Sequence, residues 1–141
     1  MSEQVYEESI EVDADPQRVW EVLIDVESWP EWTPSMTTVK VISPGPLRPG
    51  SRVAIKQPRL APAEMTVDEY VEGRSFAWSS QMKGLRTIAD HRVDPTPTGS
   101  RITLLLKQSG PLAGLVRLGY GRMIRRYLHL ESTGLKRRAE S

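Results

Sequence analysis

The last stretch of the chain, from about residue 111 to residue 138, has the pattern of one long amphipathic helix. At 3.6 residues per turn, six large side chains recur in steps of three and four and form one stripe: Leu112, Val116, Tyr120, Met123, Tyr127 and Leu130. Three more apolar residues widen it: Leu115, Ile124 and Leu128. Glu131 is predicted to lie off its centre. A helix of about 28 residues is roughly 40 Å long, so this stripe needs an equally long surface to cover it.

The middle of the chain, from Thr37 to Gln108, has the pattern of six short strands separated by turns. Polar and apolar residues alternate there, and Gly73, Gly84 and the segment from Pro95 to Gly99 mark turns. Such spacing favours an antiparallel meander. We expect Leu112, Val116, Met123 and Leu130 of the helix to be buried against this sheet.

The start of the chain predicts one more strand, over residues 4–12. A helix is then expected from Pro16 to about Val26, with Asp15 as its N-cap, followed by a bent connection that contains Pro30 and Pro34. The sequence therefore predicts an α+β fold. A seven-stranded, curved antiparallel sheet wraps around the long C-terminal helix, and two short helices lie between strands 1 and 2.

Size and composition limit the function classes. A chain of 141 residues is expected to form one domain, over residues 1–141. It contains no cysteine, which excludes disulfides and thiolate metal sites, and its net charge of +1 argues against a dedicated nucleic-acid binder. No apolar run is long enough to span a membrane, and no secretory signal is evident, so we expect a cytoplasmic protein.

Several local patterns resemble those of the SRPBCC superfamily. They are Val12–Trp20, Trp29–Pro34, Phe76–Trp78 before a glycine turn, Gly99–Thr103 and the helix entry Ser109–Leu112. That superfamily includes START lipid-transfer domains, plant pollen-allergen-like proteins and bacterial polyketide cyclase/dehydrase-like proteins. The resemblance implies a helix-grip fold with an apolar cavity between sheet and helix. It also implies binding of lipids, sterols, polyketides or other apolar ligands. No single catalytic motif is shared, so it implies no catalytic residues.

The chain has no motif for a nucleophile, a phosphate loop or a dinucleotide, and its two histidines have no metal-binding spacing. We therefore expect no metal and no cofactor. His91 shares a strand face with Ala89 and Val93, and there it is either a cavity base or a core histidine satisfied by a neighbour. Asp90 points to the opposite face, and His129 is expected to face solvent.

Nine residues are candidates for ligand binding: Trp32, Phe76, Trp78, Met82, His91, Gln108, Tyr120, Met123 and Tyr127. An apolar lining with a few polar groups is the usual small-molecule site, although the aromatic residues could equally form plain core. Trp29 is expected to anchor the bent connection, and Trp32 either anchors it or lies towards the cavity mouth. Gly119 and Gly121 supply no side-chain volume, so we expect the cavity near the middle of the helix.

The long helix also carries a basic run: Arg117, Arg122, Arg125, Arg126 and Lys136–Arg138. Such a run is either a solvated helix face or a contact surface for anionic lipid, nucleic acid or an acidic partner.

The sequence predicts a binding protein for an apolar, lipid-like or polycyclic small molecule, monomeric or homodimeric. The alternatives are a cyclase or dehydratase that uses the same cavity, and an interaction module that acts through the basic helix.

Overall fold

The structure is a computed structural model that describes residues 3–141. Its elements, in chain order, are β1 (Gln4–Val12), α1 (Pro16–Ile24), a 3₁₀ helix (Val26–Glu31), β2 (Thr38–Val41), β3 (Arg52–Lys56), β4 (Ala63–Val71), β5 (Ser75–Met82), β6 (Leu85–Thr96), β7 (Gly99–Ser109) and α2 (Ala113–Glu140). The helix-grip order expected from the sequence is confirmed. The differences lie at element ends: α1 stops at Ile24, and β6 and β7 extend into the segment expected to be a loop.

The seven strands form one antiparallel sheet in the order β1-β7-β6-β5-β4-β3-β2. The first strand of the chain joins the last, with Tyr6 opposite Leu106, so the chain ends meet at one side of the sheet. Strands β2 to β7 follow one another as the predicted meander, and an irregularity between Val67 and Glu69 interrupts the β4–β5 register. Extra residues of this kind bend a strand and increase its twist.

Helix α2 packs mainly on β1, α1 and β7. It therefore lies along one side of the sheet rather than over its centre, and the concave face of the middle strands is left for side chains to cover. This placement is the physical origin of the cavity described below.

The buried face of α2 corrects the predicted stripe by one residue. The buried positions are Ala113, Gly121, Ile124, Leu128, Glu131, Ser132, Gly134, Leu135 and Ala139. Leu112 and Tyr120 are exposed, and Val116, Met123 and Leu130 are only partly buried. The helical period of the buried face was predicted correctly, but its position was shifted by one residue. Small residues such as Ala113 and Gly121 are buried because they let the backbone of α2 approach the elements packed against it.

Gly134 is the closest of these approaches. A Cβ atom placed there would lie 2.1 Å from the backbone oxygen of Trp32. Trp32 is consequently buried under the second half of α2, and it does not lie at a cavity mouth.

The segment from α1 to Ser35 forms the other wall of the core. Asp15 caps α1 as predicted, since its Oδ1 accepts a hydrogen bond from the Arg18 backbone N–H at 2.9 Å. Trp20 and Trp29 are fully buried, and the indole N–H of Trp29 donates to the Leu23 carbonyl at 3.0 Å. A buried indole needs such a partner, so this bond fixes Trp29 in one orientation.

Candidate ligand-binding site

A cavity of about 340 Å³ lies between the concave sheet face and α2. Its walls are mostly apolar, with side chains such as Ile55, Met65, Trp78, Leu104, Ile124 and Leu128. This volume lies at the lower end of the range for small-molecule pockets, roughly 300–1,000 Å³.

His91 forms part of the cavity wall and is almost completely buried. Its ring stacks on Phe76 with centroids 4.3 Å apart, and the rings of Trp29 and Trp78 meet it edge-on at 5.4 Å. Its Nδ1 lies 3.2 Å from the Phe76 carbonyl oxygen, which can only accept, so Nδ1 carries the proton.

Burial lowers the pKa of His91 to about 4, although the Phe76 carbonyl and the Asp90 charge act in the opposite direction. At neutral pH the ring is therefore neutral, with an unprotonated Nε2. Within residues 3–141, no group forms a hydrogen bond to this nitrogen. His91 thus offers the cavity one hydrogen-bond acceptor.

Glu131 is a further ionisable group in the wall, and the sequence pattern had placed it off the buried stripe. Burial raises the pKa of its carboxyl group to about 8, with the Ser35 hydroxyl acting in the opposite direction. At neutral pH the group is mainly protonated and can donate a hydrogen bond. Ser35 follows the segment whose Trp29 packs on His91, so Glu131 and His91 both adjoin this connection.

Two other polar groups of the wall, Thr87 and Gln108, lie further along β6 and β7. In the β6–β7 register, Gln108 lies opposite Thr87. This pair is four residues along the strands from the pair formed by His91 and Leu104. Four residues of strand correspond to about 13 Å. The Gln108 amide nitrogen lies 3.4 Å from Thr87 Oγ1, and its amide oxygen has no partner within residues 3–141.

The loop between β3 and β4 borders the cavity through Gln57, Leu60 and Ala61. It is tied to α2 because the Tyr127 hydroxyl donates to the Pro58 carbonyl. Lys56, at the end of β3, stabilises the start of the loop, because its Nζ donates a hydrogen bond to the Gln57 carbonyl at 2.8 Å. Tyr127 therefore positions one wall of the cavity. Its hydroxyl proton is already used in the hydrogen bond to the Pro58 carbonyl.

No lysine or arginine lines the cavity within the described part of the chain, whereas Asp90 and Glu131 do. A buried ligand carboxylate would thus find no cationic partner there. An unpaired buried charge is costly, so the cavity favours uncharged ligands.

Six of the nine predicted ligand-binding residues lie in the cavity wall: Trp78, Met82, His91, Gln108, Tyr120 and Tyr127. Met82 and Tyr120 are also about half exposed, so they lie where the cavity meets solvent. Trp32, Phe76 and Met123 lie outside the wall, and Phe76 acts indirectly by supporting His91.

The cavity does not lie beside Gly119 and Gly121, contrary to the expectation from the sequence. Gly119 faces open space, and Gly121 faces Tyr6 of β1. Neither glycine lines the cavity.

Sequence reasoning missed Glu131 and gave Trp29 only an anchoring role. Glu131 could have been found as the lone acidic residue between Arg101 and Lys136, three residues before a glycine that permits close packing. Trp29 both anchors the connection and lines the cavity. His129 is exposed as expected, and its Nδ1 lies 2.8 Å from a Glu8 oxygen.

Two further observations concern the described residues, 3–141. They contain no cluster of three or more His, Cys, Asp or Glu side chains able to hold a metal ion. None of their helices is both long and apolar enough to cross a bilayer.

The chain matches a known protein family over nearly its whole length. A family model described as "Polyketide cyclase / dehydrase and lipid transport" matches residues 3–140. The chain belongs to this family. Among curated proteins, no sequence matches the chain significantly.

Solved structures share the fold of this polyketide cyclase/dehydrase and lipid transport family member at low identity. A START superfamily protein from Mycobacterium smegmatis has a TM-score of 0.75 at 15% identity, covering 96% of this chain and 97% of that one. Norcoclaurine synthase from Thalictrum flavum, solved with dopamine and hydroxybenzaldehyde, has a TM-score of 0.75 at 13% identity over 96% and 86%. A hypothetical protein from Helicobacter pylori has a TM-score of 0.76 at 17% identity over 98% and 88%. At these identities the likeness shows the fold alone.

Proposed function

We propose that this protein binds a neutral, apolar small molecule in the cavity between the sheet and α2. The observation that carries the proposal is a cavity of about 340 Å³ with mostly apolar walls and no lysine or arginine among the described residues. Family membership supports the same class of ligand, because the family description includes lipid transport. Burial of apolar ligand surface would supply the main driving force, at roughly 25 cal/mol per Å².

The polar groups at the His91 end favour a ligand that carries a hydroxyl group there. The free Nε2 of His91 accepts a hydrogen bond, and the protonated carboxyl of Glu131 donates one. A hydroxyl group can donate to the first and accept from the second at the same time. A carboxylate can only accept, so it would leave Nε2 without a partner and bury a charge.

Binding of a neutral fluorescent probe tests the cavity itself. N-phenyl-1-naphthylamine should bind with roughly micromolar affinity, equivalent to about −8 kcal/mol. Ala89→Phe should weaken binding because Ala89 lines the cavity and a phenyl ring would fill it. Val5→Phe is the matched control, since Val5 is exposed on β1 and lies outside the cavity wall.

Both variants should unfold near the wild-type temperature, which shows that any lost binding comes from lost volume. Undetectable probe binding to the wild type would overturn the proposed function. So would equal binding by the wild type and a folded Ala89→Phe variant.

A matched ligand series tests the preferred chemistry by calorimetry. The series is biphenyl, para-hydroxybiphenyl, biphenyl-para-carboxylate and the cationic para-phenylbenzylamine. We expect the hydroxy compound to bind most tightly and the carboxylate to bind most weakly. Glu131→Gln should preserve binding of the hydroxy compound, since an amide can still donate, whereas Glu131→Leu should reduce it to the level of biphenyl. Tightest binding of the carboxylate or the amine would contradict the preference for a neutral ligand.

A second candidate function, a dehydratase or cyclase, is favoured by one specific observation. The cavity holds a neutral potential base, His91, and a protonated potential acid, Glu131, and such opposed pKa shifts are typical of acid–base pairs. In a dehydration, His91 Nε2 would remove a proton from carbon while Glu131 protonates the departing hydroxyl. A C–H and a C–O bond break, a C=C bond forms, and water leaves.

The test is incubation of the protein with an apolar extract of its host, followed by mass spectrometry. An enzyme would convert one compound to a product that lacks one water, and Glu131→Leu would abolish this conversion. Unchanged recovery of every bound compound would favour the carrier.

A further inference from the structure

Exposed apolar side chains are concentrated on one surface of the molecule. Within residues 3–141, eight large apolar side chains are exposed, and five of them belong to this surface: Met82, Leu112, Leu115, Leu118 and Tyr120. We call these five residues the apolar rim. Leu118 is the most exposed of all eight, at 86%. Monomeric proteins rarely leave contiguous apolar patches uncovered, and such patches mark interaction sites.

The three leucines of the rim adjoin one another. Leu112, Leu115 and Leu118 follow one another at three-residue spacing, which places them side by side along the first turns of α2. Leu112 also lies against the β5–β6 turn, since a Cβ atom on Gly84 would be 2.9 Å from its Cγ. Met82 lies two residues before that glycine, at the end of β5.

The surroundings of the rim are strongly basic. Residues 107–130 contain five lysines and arginines and no aspartate or glutamate. Lys83 and Arg86 add two more positive charges on the β5–β6 hairpin that Leu112 contacts. Among the ion pairs of residues 3–141, none involves Arg117, Arg122, Arg125 or Arg126. The charge of this region is therefore available to an anionic partner.

Three of these arginines also surround a shallow surface depression beside Leu118. Arg117, Arg122 and Arg125 line it together with Gly114, Gly119 and Gly121, whose missing side chains leave it open. The Arg117 and Arg125 guanidinium groups lie over the Tyr6 ring, 4.8 Å and 5.9 Å from its centroid, and this contact holds both charges beside the depression. Such a concave site suits phosphate groups, which arginine binds in fixed geometry.

We propose that the apolar rim and its arginines dock this protein peripherally on an anionic membrane, with the leucines inserted among the acyl chains and the arginines at the phosphate level. Surface binding by helices combines buried apolar side chains with basic residues in this way. A second copy of the chain is a poorer occupant, because two such basic surfaces would face each other.

Docking would also orient the cavity. Met82 lies in the cavity wall and two residues before the turn that Leu112 contacts, so the cavity would open near the membrane surface. That consequence rests on the proposed function, because it requires a ligand in the cavity. The docking itself does not rest on the proposed function, and it can be tested without any ligand.

The first experiment uses tryptophan fluorescence. All four tryptophans of the chain are buried, so the wild type should respond little to lipid. Leu118→Trp should show a blue shift with vesicles of phosphatidylglycerol and phosphatidylcholine. Val71→Trp is the matched control, since Val71 is exposed on β4 outside the rim, and it should show no shift. No shift for Leu118→Trp, or equal shifts for both variants, would overturn the proposal.

The second experiment is vesicle flotation with the otherwise native chain. Binding should be about tenfold or more weaker to pure phosphatidylcholine and in high salt. The double variant Leu115→Ser with Leu118→Ser should lose binding, whereas Val71→Ser should retain it. Arg122→Gln with Arg126→Gln should also lose most of the binding. Retained binding by the leucine variant would refute the role of the rim. A wild-type dimer that ignores vesicles and dissociates in the leucine variant would show that a second copy is the occupant.

The two proposals fail separately. Vesicle binding without probe binding would support the docking surface and overturn the cavity function. Probe binding without vesicle binding would do the opposite.

Discussion

Two buried ionisable side chains, His91 and Glu131, dominate the chemistry of the molecule at the scale of single residues. Both are held in their uncharged forms by burial, which lowers the pKa of the histidine and raises that of the carboxyl group. The sequence identified His91 from strand alternation. It did not identify Glu131, because helical periodicity ranks side chains by apolarity and an acidic residue does not stand out as a buried one.

Glu131→Gln should stabilise the protein more at pH 8 than at pH 5. In the unfolded chain the carboxyl ionises near its ordinary pKa of 4.5, whereas in the fold its pKa is about 8. The folded state therefore holds the extra proton between these values, and wild-type stability falls as pH rises through that window. Urea unfolding should show that the gain from Glu131→Gln grows by at least about 1 kcal/mol from pH 5 to pH 8.

The exposed control Glu69→Gln should change the free energy of unfolding little at either pH. A gain from Glu131→Gln that is equal at both pH values would contradict the burial of an uncharged carboxyl group.

His91 should remain neutral, with its proton on Nδ1, at pH values where an ordinary histidine is charged. Its pKa of about 4 lies below the ordinary histidine pKa of 6.5, so a spectrum at pH 5.5 should still show the neutral ring. Nitrogen-detected NMR of the imidazole distinguishes the two tautomers. A ring that titrates near pH 6.5, or that carries its proton on Nε2, would contradict the hydrogen bond to the Phe76 carbonyl.

At the scale of elements, α2 shows what periodicity can and cannot predict. Its length and its repeat were predicted, and the structure gives 28 residues. Its phase was displaced by one residue, because Leu112 and Tyr120 looked like core whereas Ala113 and Gly121 are the buried neighbours. Hydrophobicity alone cannot identify positions that are buried because they are small.

Glycines on α2 therefore should differ sharply in their tolerance of a methyl group. Gly134→Ala should destabilise the protein by more than about 1 kcal/mol, since its Cβ would clash with the Trp32 backbone oxygen. Gly119→Ala is the matched control on the same helix. It meets open space, so the better helix propensity of alanine should stabilise the protein by up to about 1 kcal/mol. Thermal unfolding of both variants checks the pair, and similar effects of the two substitutions would contradict the close approach.

At the scale of the whole molecule, the sequence predicted a sheet wrapped around a helix but could not predict where the helix lies on it. Strand alternation fixes which side chains face inwards, as for Ala89 and His91, and four of the five predicted site residues on strands accordingly line the cavity. The cavity position depends on α2 lying along β1 and β7, which is a long-range packing outcome with no local signal. The same placement leaves Leu115 and Leu118 without a covering surface.

The central claim is that the cavity holds a neutral apolar molecule, and native mass spectrometry tests it most directly. The wild type and Ala89→Phe would each be equilibrated with an apolar extract of the host and then sprayed without denaturation. We predict a one-to-one complex of the wild type with a small uncharged compound that carries a hydroxyl group, and little or no complex for Ala89→Phe. A wild-type protein that retains nothing, or a folded Ala89→Phe variant that retains the same compound equally well, would contradict the account.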